Sequence, residues 1–201
     1  MTRLQYTGFV LPNNVTDVIN NAVEVVTACK IFFAYNSPWW KTLNLRNVVT
    51  DLPNRQTIDF GTGANGKAVL LAGYGDMDIT KYWHELQNRG NNISCSNANF
   101  CPSDQVVLHM NKLMAKEFNI SLGVIPSPID GAIIFWDAPP FNGAWESWRA
   151  GYDWGVISDA ILKPMAGEDL YIATGAYGPL VSSQWIEMAL RQADNVIDRY
   201  F

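Results

Sequence analysis

The alternation of apolar and polar residues predicts several short strands. Residues 25–35 (VVTACKIFFAY) are rich in β-branched and aromatic side chains and form the strongest predicted strand. Further strands are predicted at 47–52, 56–60, 67–73, 127–136 and 169–174. The pattern predicts an α+β fold with a mixed, largely antiparallel sheet of about five or six strands.

Helical spacing of apolar residues appears between these strands. The clearest helix is predicted at 104–118, with Ser103 or Asp104 as its cap, and a second one lies at 78–87. Shorter helices are predicted at 18–26 and 156–162, and a final helix runs from Ser183 to about residue 200. We expect the helices to cover one face of the sheet.

A glycine-rich segment at 61–66 (GTGANG) fits the GxGxxG pattern of dinucleotide-binding loops. That pattern binds a pyrophosphate only when a helix follows it, because the amino terminus of the helix faces the phosphates. Here a strand-like run follows, at 67–73. We therefore predict a hairpin loop between two antiparallel strands.

The composition is that of a globular protein with little charge. Of its 201 residues, 48% are hydrophobic and 16% are charged. The chain contains 8 Trp, 8 Tyr and 9 Phe, and this number is equally consistent with an aromatic core and with an aromatic-lined pocket. The net charge of −5, without a basic run, argues against a nucleic-acid partner. No apolar run is long enough to cross a membrane and no signal peptide is visible, so the expected location is cytoplasmic or secreted.

Three cysteines limit the redox and metal chemistry. Cys29 lies in the strongest strand, which predicts a buried thiol. Cys95 and Cys101 bracket a polar loop, and a disulfide and two reduced thiols are equally consistent with this spacing. With two histidines the cysteines make no recognisable metal-ligand spacing, so we predict no metal site.

Residues 26–40 (VTACKIFFAYNSPWW) place a lysine, an apolar strand and a Pro-Trp-Trp closure in one order. This segment resembles the flavin-containing amine oxidase superfamily, which includes monoamine oxidases, L-amino-acid oxidases and tryptophan 2-monooxygenases. The resemblance implies that Lys30 is the catalytic lysine that holds a water against the flavin N5 edge. A buried ammonium can position and polarise a water or an oxygen species there.

A second segment, Thr50-Asp51-Leu52-Pro53 and the strand after it, is similar to the part of amino-acid oxidases that carries a substrate-facing tyrosine. Here Phe60 or Asp59 occupies that region. The resemblance implies that Phe60 lines the substrate site. Phe60 has no hydroxyl for a substrate carboxylate.

The end of the chain provides a third segment. Residues 169–175, followed by Ser183-Gln184-Trp185-Ile186-Glu187, resemble the family's strand, glycine, loop and helix start beside the flavin. The resemblance implies that Gly175, Trp185 and Ile186 contact the cofactor and that Trp185 is one wall of an aromatic substrate cage. Trp136, in residues 134–144, is either the opposite wall or a core residue. Two positions depart from the pattern, Ala176 for an acidic residue and Gln184 for glycine.

The resemblance covers only the carboxyl-terminal portion of such an enzyme. It implies a substrate-binding domain at 1–168 and, at 169–201, a strand and helix that complete an FAD-binding domain. No nucleotide-binding unit is visible, so we expect either a hetero-oligomer with a partner that carries the dinucleotide-binding domain and shares FAD, or a processed piece that stays associated with the rest of its precursor. The complex would oxidise a small amine or amino acid, or act as a monooxygenase that releases an amide. The alternative is an inactive binding or regulatory subunit that keeps this fold.

Overall fold

The computed structural model describes residues 10–178 and 186–201. They form two compact units. Residues 26–144 make up the sheet unit, and the described residues before 26 and after 144 make up the terminal unit. The predicted boundary at residue 168 follows function rather than packing and stays a prediction.

The elements of the described chain are short. The strands are β1 (Val23–Val26), β2 (Ala28–Tyr35), β3 (Val48–Val49), β4 (Gln56–Thr62), β5 (Ala68–Asp76), β6 (Asp130–Phe135) and β7 (Trp145–Trp148). The α-helices are α1 (Asn13–Asp17), α2 (Trp39–Thr42), α3 (Asp78–Arg89), α4 (Asp104–Phe118), α5 (Trp154–Ala160) and α6 (Ile186–Tyr200). A π-helical turn (Val18–Ala22) follows α1, and 3-10 turns lie at Ala98–Phe100, Leu122–Val124 and Gly175–Tyr177.

The sheet unit is built on five antiparallel strands in the order β3-β4-β5-β2-β6, and β1 pairs separately with β7. This confirms the predicted α+β architecture. The glycine-rich segment is the β4–β5 hairpin loop, as predicted. The amide of Gly66 donates to the carbonyl of Gly63 (3.0 Å), and the amide of Gly63 donates to the carbonyl of Lys67 (2.9 Å).

Helices cover one face of this sheet, which confirms the predicted layering. Alternate residues of β2 are fully buried on that face, including Ile31 and Phe33. Trp83 of α3 and Met110 of α4 belong to the same core and are also fully buried. Each such side chain stabilises the fold by roughly 1.5–3 kcal/mol relative to leaving it in water. The other face, called the open face below, carries the half-buried β2 residues such as Lys30.

Four local predictions were wrong. The predicted helix at 18–26 ends at Ala22, because Val23–Val26 pairs with β7. That partner strand lies at Trp145–Trp148, where no strand was predicted. The predicted strand at 47–52 shortens to Val48–Val49, and residues 169–174 form no strand in the described chain. A strand needs a hydrogen-bonded neighbour, and none of the described segments pairs with 169–174.

The predicted final helix is described from Ile186 onward, where it forms α6. Ser183, Gln184 and Trp185 lie outside the described residues. The roles assigned to these three positions therefore stay predictions.

Two of the three cysteines form a disulfide, and the third is a buried thiol. Cys95 and Cys101 form a disulfide with Cα atoms 5.8 Å apart. The loop that contains them contacts β6, where Asp130 accepts hydrogen bonds from the amide and the hydroxyl of Ser96. Cys29 is a fully buried thiol, and burial raises its pKa to about 12. In the described part of the chain, no helix combines the length and apolar character needed to cross a membrane.

The first and last residues of the sheet unit are neighbours in space. Val26 opens it and Ala144 closes it, and the amide of Ala144 donates to the carbonyl of Val26 (3.0 Å). The terminal unit has its own smaller core, in which Tyr177 is fully buried.

Candidate functional site

Lys30 lies within the sheet, on the open face. In the strand register it stands opposite Tyr74 of β5 on one side and Ile134 of β6 on the other. Its Nζ atom lies 5.6 Å from the ring centre of Tyr74 and 5.6 Å from that of Trp136. Both distances fit cation–π contacts. Among the described residues no carboxylate forms an ion pair with this half-buried ammonium.

Trp136 reaches this site from the end of β6. Its amide donates to the carbonyl of Ala28 (3.0 Å), and its own carbonyl accepts from the amide of Gly143 (2.6 Å). These two bonds close the loop at 136–143 against the sheet. The sequence left Trp136 between a core position and a cage wall, and the structure places its half-buried ring beside Lys30.

Tyr74 was missed by the sequence analysis. A bulge in β5 shifts the register between Gly73, which pairs with Ile31, and Leu71, which pairs with Phe32. Strict alternation from Leu71 would turn residue 74 toward the helices, and the bulge turns Tyr74 to the open face instead. Burial and the nearby Asp76 raise the pKa of its phenol, so the hydroxyl stays protonated and can donate a hydrogen bond.

Two phenylalanines extend the aromatic surface along the open face. The rings of Phe32 and Phe60 pack edge to face with centres 5.2 Å apart, and Phe60 is 61% exposed. Asp59, the other residue considered for this region, forms a 2.8 Å ion pair with Lys41, whose hydrogen bond holds the pKa of that carboxyl below its ordinary value. Phe60 and the phenol of Tyr74 therefore lie on the same face of the sheet.

A histidine and an aspartate meet behind Trp136. His84 of α3 places Nε2 3.1 Å from both carboxylate oxygens of Asp137, and its ring stacks on Phe135 at 3.7 Å. Neither residue was predicted to act near the site. The sequence analysis could not predict this contact. The two residues are 53 positions apart, one in a helix and the other in the loop after β6, and no local pattern links them.

Gly175 and Ile186, the described residues that were predicted to contact the cofactor, both lie in the terminal unit. Gly175 begins a 3-10 turn in the terminal unit, and Ala176 beside it is buried at 5% exposure. Ile186 begins α6 and is 75% exposed. The structure brings Lys30 and Trp136 together in the sheet unit, and the cofactor contacts of Gly175 and Ile186 stay predictions.

Comparison with known proteins finds matches over nearly the whole chain. Achacin from Lissachatina fulica is 26% identical over 190 residues, and aplysianin-A from Aplysia kurodai is 29% identical over 188 residues. A putrescine oxidase redesigned in its cofactor binding superposes with a TM-score of 0.59 at 14% identity, covering 94% of this chain, and so shares the fold. No family model matches the chain.

These matches confirm the resemblance to the flavin-containing amine oxidase superfamily. The similarity is to the carboxyl-terminal portion of these proteins. This chain aligns with 90% of its own length but with only 35% of achacin and 34% of aplysianin-A, and it covers 39% of the putrescine oxidase chain. It thus spans about a third of the length of the curated relatives.

Similarity to flavin amine oxidases implies FAD, and the described residues fit one part of that cofactor. An ammonium without a carboxylate partner, set between two π faces, is suited to the electron-rich edge of a flavin ring and a water beside it. The ADP half needs a strand, a glycine loop and a helix, and the glycine-rich loop found here joins β4 to β5 instead. The described residues thus fit the ring and offer no cradle for the nucleotide.

Proposed function

We propose that this chain is the substrate-side part of a flavin-dependent amine or L-amino-acid oxidoreductase, and that a partner supplies the nucleotide-binding half of the FAD site. One observation carries the proposal. The Lys30 ammonium lies between the rings of Tyr74 and Trp136 on the open face of a sheet whose other face is packed with helices. A sheet of this kind positions a site rigidly and leaves it accessible from one side.

When bound, the flavin would accept a hydride from the carbon that carries the amino group and pass the electrons to dioxygen, which yields an imine and hydrogen peroxide. The chain's own residues provide orientation and electrostatics. Lys30 would donate a hydrogen bond to a water or oxygen species at the ring edge. Trp136 and Phe60 would line the apolar walls of the substrate site and exclude bulk water from it.

Tyr74 adds a possibility that the sequence did not offer. Phe60 has no hydroxyl for a substrate carboxylate, and the phenol of Tyr74 stands on the same face beside Lys30. A protonated phenol next to an ammonium can bind a carboxylate by a charge-assisted hydrogen bond. This favours an amino acid over a simple amine as substrate.

An exposed helix surface supports the proposed partner. In the terminal unit, α6 exposes an apolar stripe formed by Ile186, Leu190 and Ile197. Residues at this spacing share one helix face, and such a face is typical of a protein interface.

The alternative is a catalytically inactive subunit that keeps the fold. It is favoured by Ala176, which stands where the family has an acidic residue beside the flavin and whose methyl group is buried in the core of the terminal unit. A buried methyl group cannot make the polar contact that a carboxylate makes. The two candidates differ in a property that is easily measured, the presence of bound flavin.

The chain should be purified alone and together with the product of its neighbouring gene, each in the presence of excess FAD, and the visible spectrum recorded. We expect flavin absorbance near that of a bound oxidised flavin in the joint preparation and none in the chain alone. Absence of yellow colour from both preparations would contradict the oxidoreductase and support the inactive subunit.

Within a flavin-containing preparation, Lys30→Met should slow reoxidation by dioxygen at least tenfold, because the ammonium that positions the oxygen species is gone; tenfold corresponds to about 1.4 kcal/mol. Lys41→Met is the matched control, since Lys41 pairs with Asp59 and is half exposed. Stopped-flow absorbance measures both rates. Equal reoxidation in the two variants would remove Lys30 from the mechanism.

A further inference from the structure

We propose that His84 and Asp137 act as a clamp that positions Trp136 on the open face beside Lys30. The clamp consists of these two side chains and the ring of Phe135. It rests on the proposed function only for what Trp136 does at the site, and its existence can be tested on the chain without flavin.

Two contacts of one histidine fix both sequence neighbours of Trp136. Nε2 of His84 lies 3.1 Å from each carboxylate oxygen of Asp137, and the imidazole stacks on the ring of Phe135 at 3.7 Å with an angle of 16° between the planes. The His84 and Asp137 side chains are 32% and 30% exposed, so water screens this pair less than an ion pair on the open surface.

The geometry explains why the clamp acts on the opposite side of the sheet from Lys30. Phe135 stands opposite Cys29 in the register, on the face covered by the helices. Phe135 and Asp137 both contact His84 of α3, whereas the ring of Trp136 lies beside Lys30 on the open face. Anchoring the two neighbours from behind sets the direction of the indole in front.

Trp136 needs such support because of its place in the sheet. β6 is an edge strand, and Trp136 follows its last residue, where strand ends open most readily. Its backbone is held by bonds to Ala28 and Gly143, but these leave the side-chain torsions free. His84 of α3 contacts both Phe135 and Asp137, and these contacts restrict the side-chain torsions of Trp136.

The test is a ¹H–¹⁵N spectrum of the indole groups of the full chain. The chain has eight tryptophans, and the signal of Trp136 is the one that disappears in Trp136→Phe. In His84→Ala we expect that signal to shift and to broaden or vanish, while the signals of the buried Trp39 and Trp40 stay in place. Those two rings belong to the core and lie away from the clamp.

Three further variants divide the clamp into its parts. His84→Phe keeps a ring to stack on Phe135 and removes the hydrogen bonds, whereas Asp137→Asn keeps one acceptor oxygen for the imidazole. Each should move the Trp136 signal less than His84→Ala. His109→Ala is the matched control, because the chain's other histidine bonds the hydroxyl of Tyr82 (3.1 Å) and should leave the signal unchanged.

An unchanged Trp136 signal in His84→Ala and Asp137→Asn would overturn the proposal. If His84→Ala loses the dispersion of all indole signals, the milder His84→Phe and Asp137→Asn decide the question against the Trp39 and Trp40 references. A positive result on the chain alone would support the clamp whether or not the joint preparation binds flavin, so the two proposals fail separately.

Discussion

At the scale of single residues, the most unusual group is a carboxylate inside the sheet unit. Oε2 of Glu117 accepts hydrogen bonds from Nδ2 of Asn54 (2.5 Å) and from the hydroxyl of Thr57 (2.9 Å). The other oxygen of Glu117 and the side-chain oxygen of Asn54 are buried and have no partner. Two acceptors without a donor in one buried place are destabilising when the carboxyl is ionised.

Burial raises the pKa of Glu117, against the opposing effect of the bonds from Asn54 and Thr57. A raised folded-state pKa means that the stability contribution of the neutral acid is present below the unfolded value of about 4.5 and is lost as the pH rises through the folded value. Glu117→Gln supplies a donor that does not titrate. We expect it to raise the free energy of unfolding by about 1 kcal/mol at pH 8.

Urea unfolding at pH 4 and pH 8 measures the effect, and the gain from Glu117→Gln should be smaller at the lower pH. Glu85→Gln is the matched control, because Glu85 pairs with Arg89 on an exposed helix surface and such pairs contribute little. A loss of stability at pH 8 in Glu117→Gln would show that the two acceptors are satisfied in another way.

The same scale shows which site residues a sequence can disclose. Lys30 and Trp136 could be named because each stands in a segment whose order of residues resembles a family. Tyr74 could not, because the bulge that turns it to the open face has no distinct residue pattern. His84 and Asp137 meet only through tertiary packing, which the local spacing of residues does not encode.

At the scale of elements, α6 presents two different faces. Gln192 and Val196 are buried, and Nε2 of Gln192 donates to the carbonyl of Tyr177 (2.8 Å) within the terminal unit. Leu190 and Ile197 of the apolar stripe are 54% and 58% exposed. The first face therefore stabilises the chain, and the second is free to bind the proposed partner.

Charged residues in the stripe should separate these two roles. We expect the double variant Leu190→Glu, Ile197→Glu to change the free energy of unfolding of the chain by no more than about 0.5 kcal/mol, as is usual for exposed positions. The same variant should no longer bring flavin with it in the joint preparation, because an apolar interface does not accept two buried charges.

Val196→Ala is the matched control and should do the reverse, with lower stability and retained flavin in the fraction that folds. Thermal unfolding and the ratio of flavin to protein absorbance give the two readouts. Retention of flavin by the double variant would place the partner elsewhere on the chain.

The elements also differ in how far local sequence determines them. The bounds of α4 were predicted closely, because its periodicity and the Ser103 cap, whose hydroxyl accepts from the amide of Val106, are both local. Residues 169–174 have the composition of a strand, but a strand forms only beside a partner. The Val23–Val26 strand was missed for the matching reason, since its partner β7 lies more than a hundred residues later.

At the scale of the whole molecule, the two compact units do not simply follow one another along the chain. The terminal unit takes its described residues from both sides of the sheet unit, so packing places two boundaries along the chain. Composition and periodicity could predict the antiparallel sheet but could not show that the chain returns to its first unit after residue 144.

The hydrogen bond between Val26 and Ala144 has a genetic consequence. A segment that leaves and re-enters a scaffold through neighbouring residues can be inserted or excised in one event without stretching either part. We expect residues 26–144, expressed as a separate polypeptide with the disulfide intact, to unfold in one cooperative urea transition. A gradual, non-cooperative loss of structure would mean that this portion does not fold independently of the residues around it.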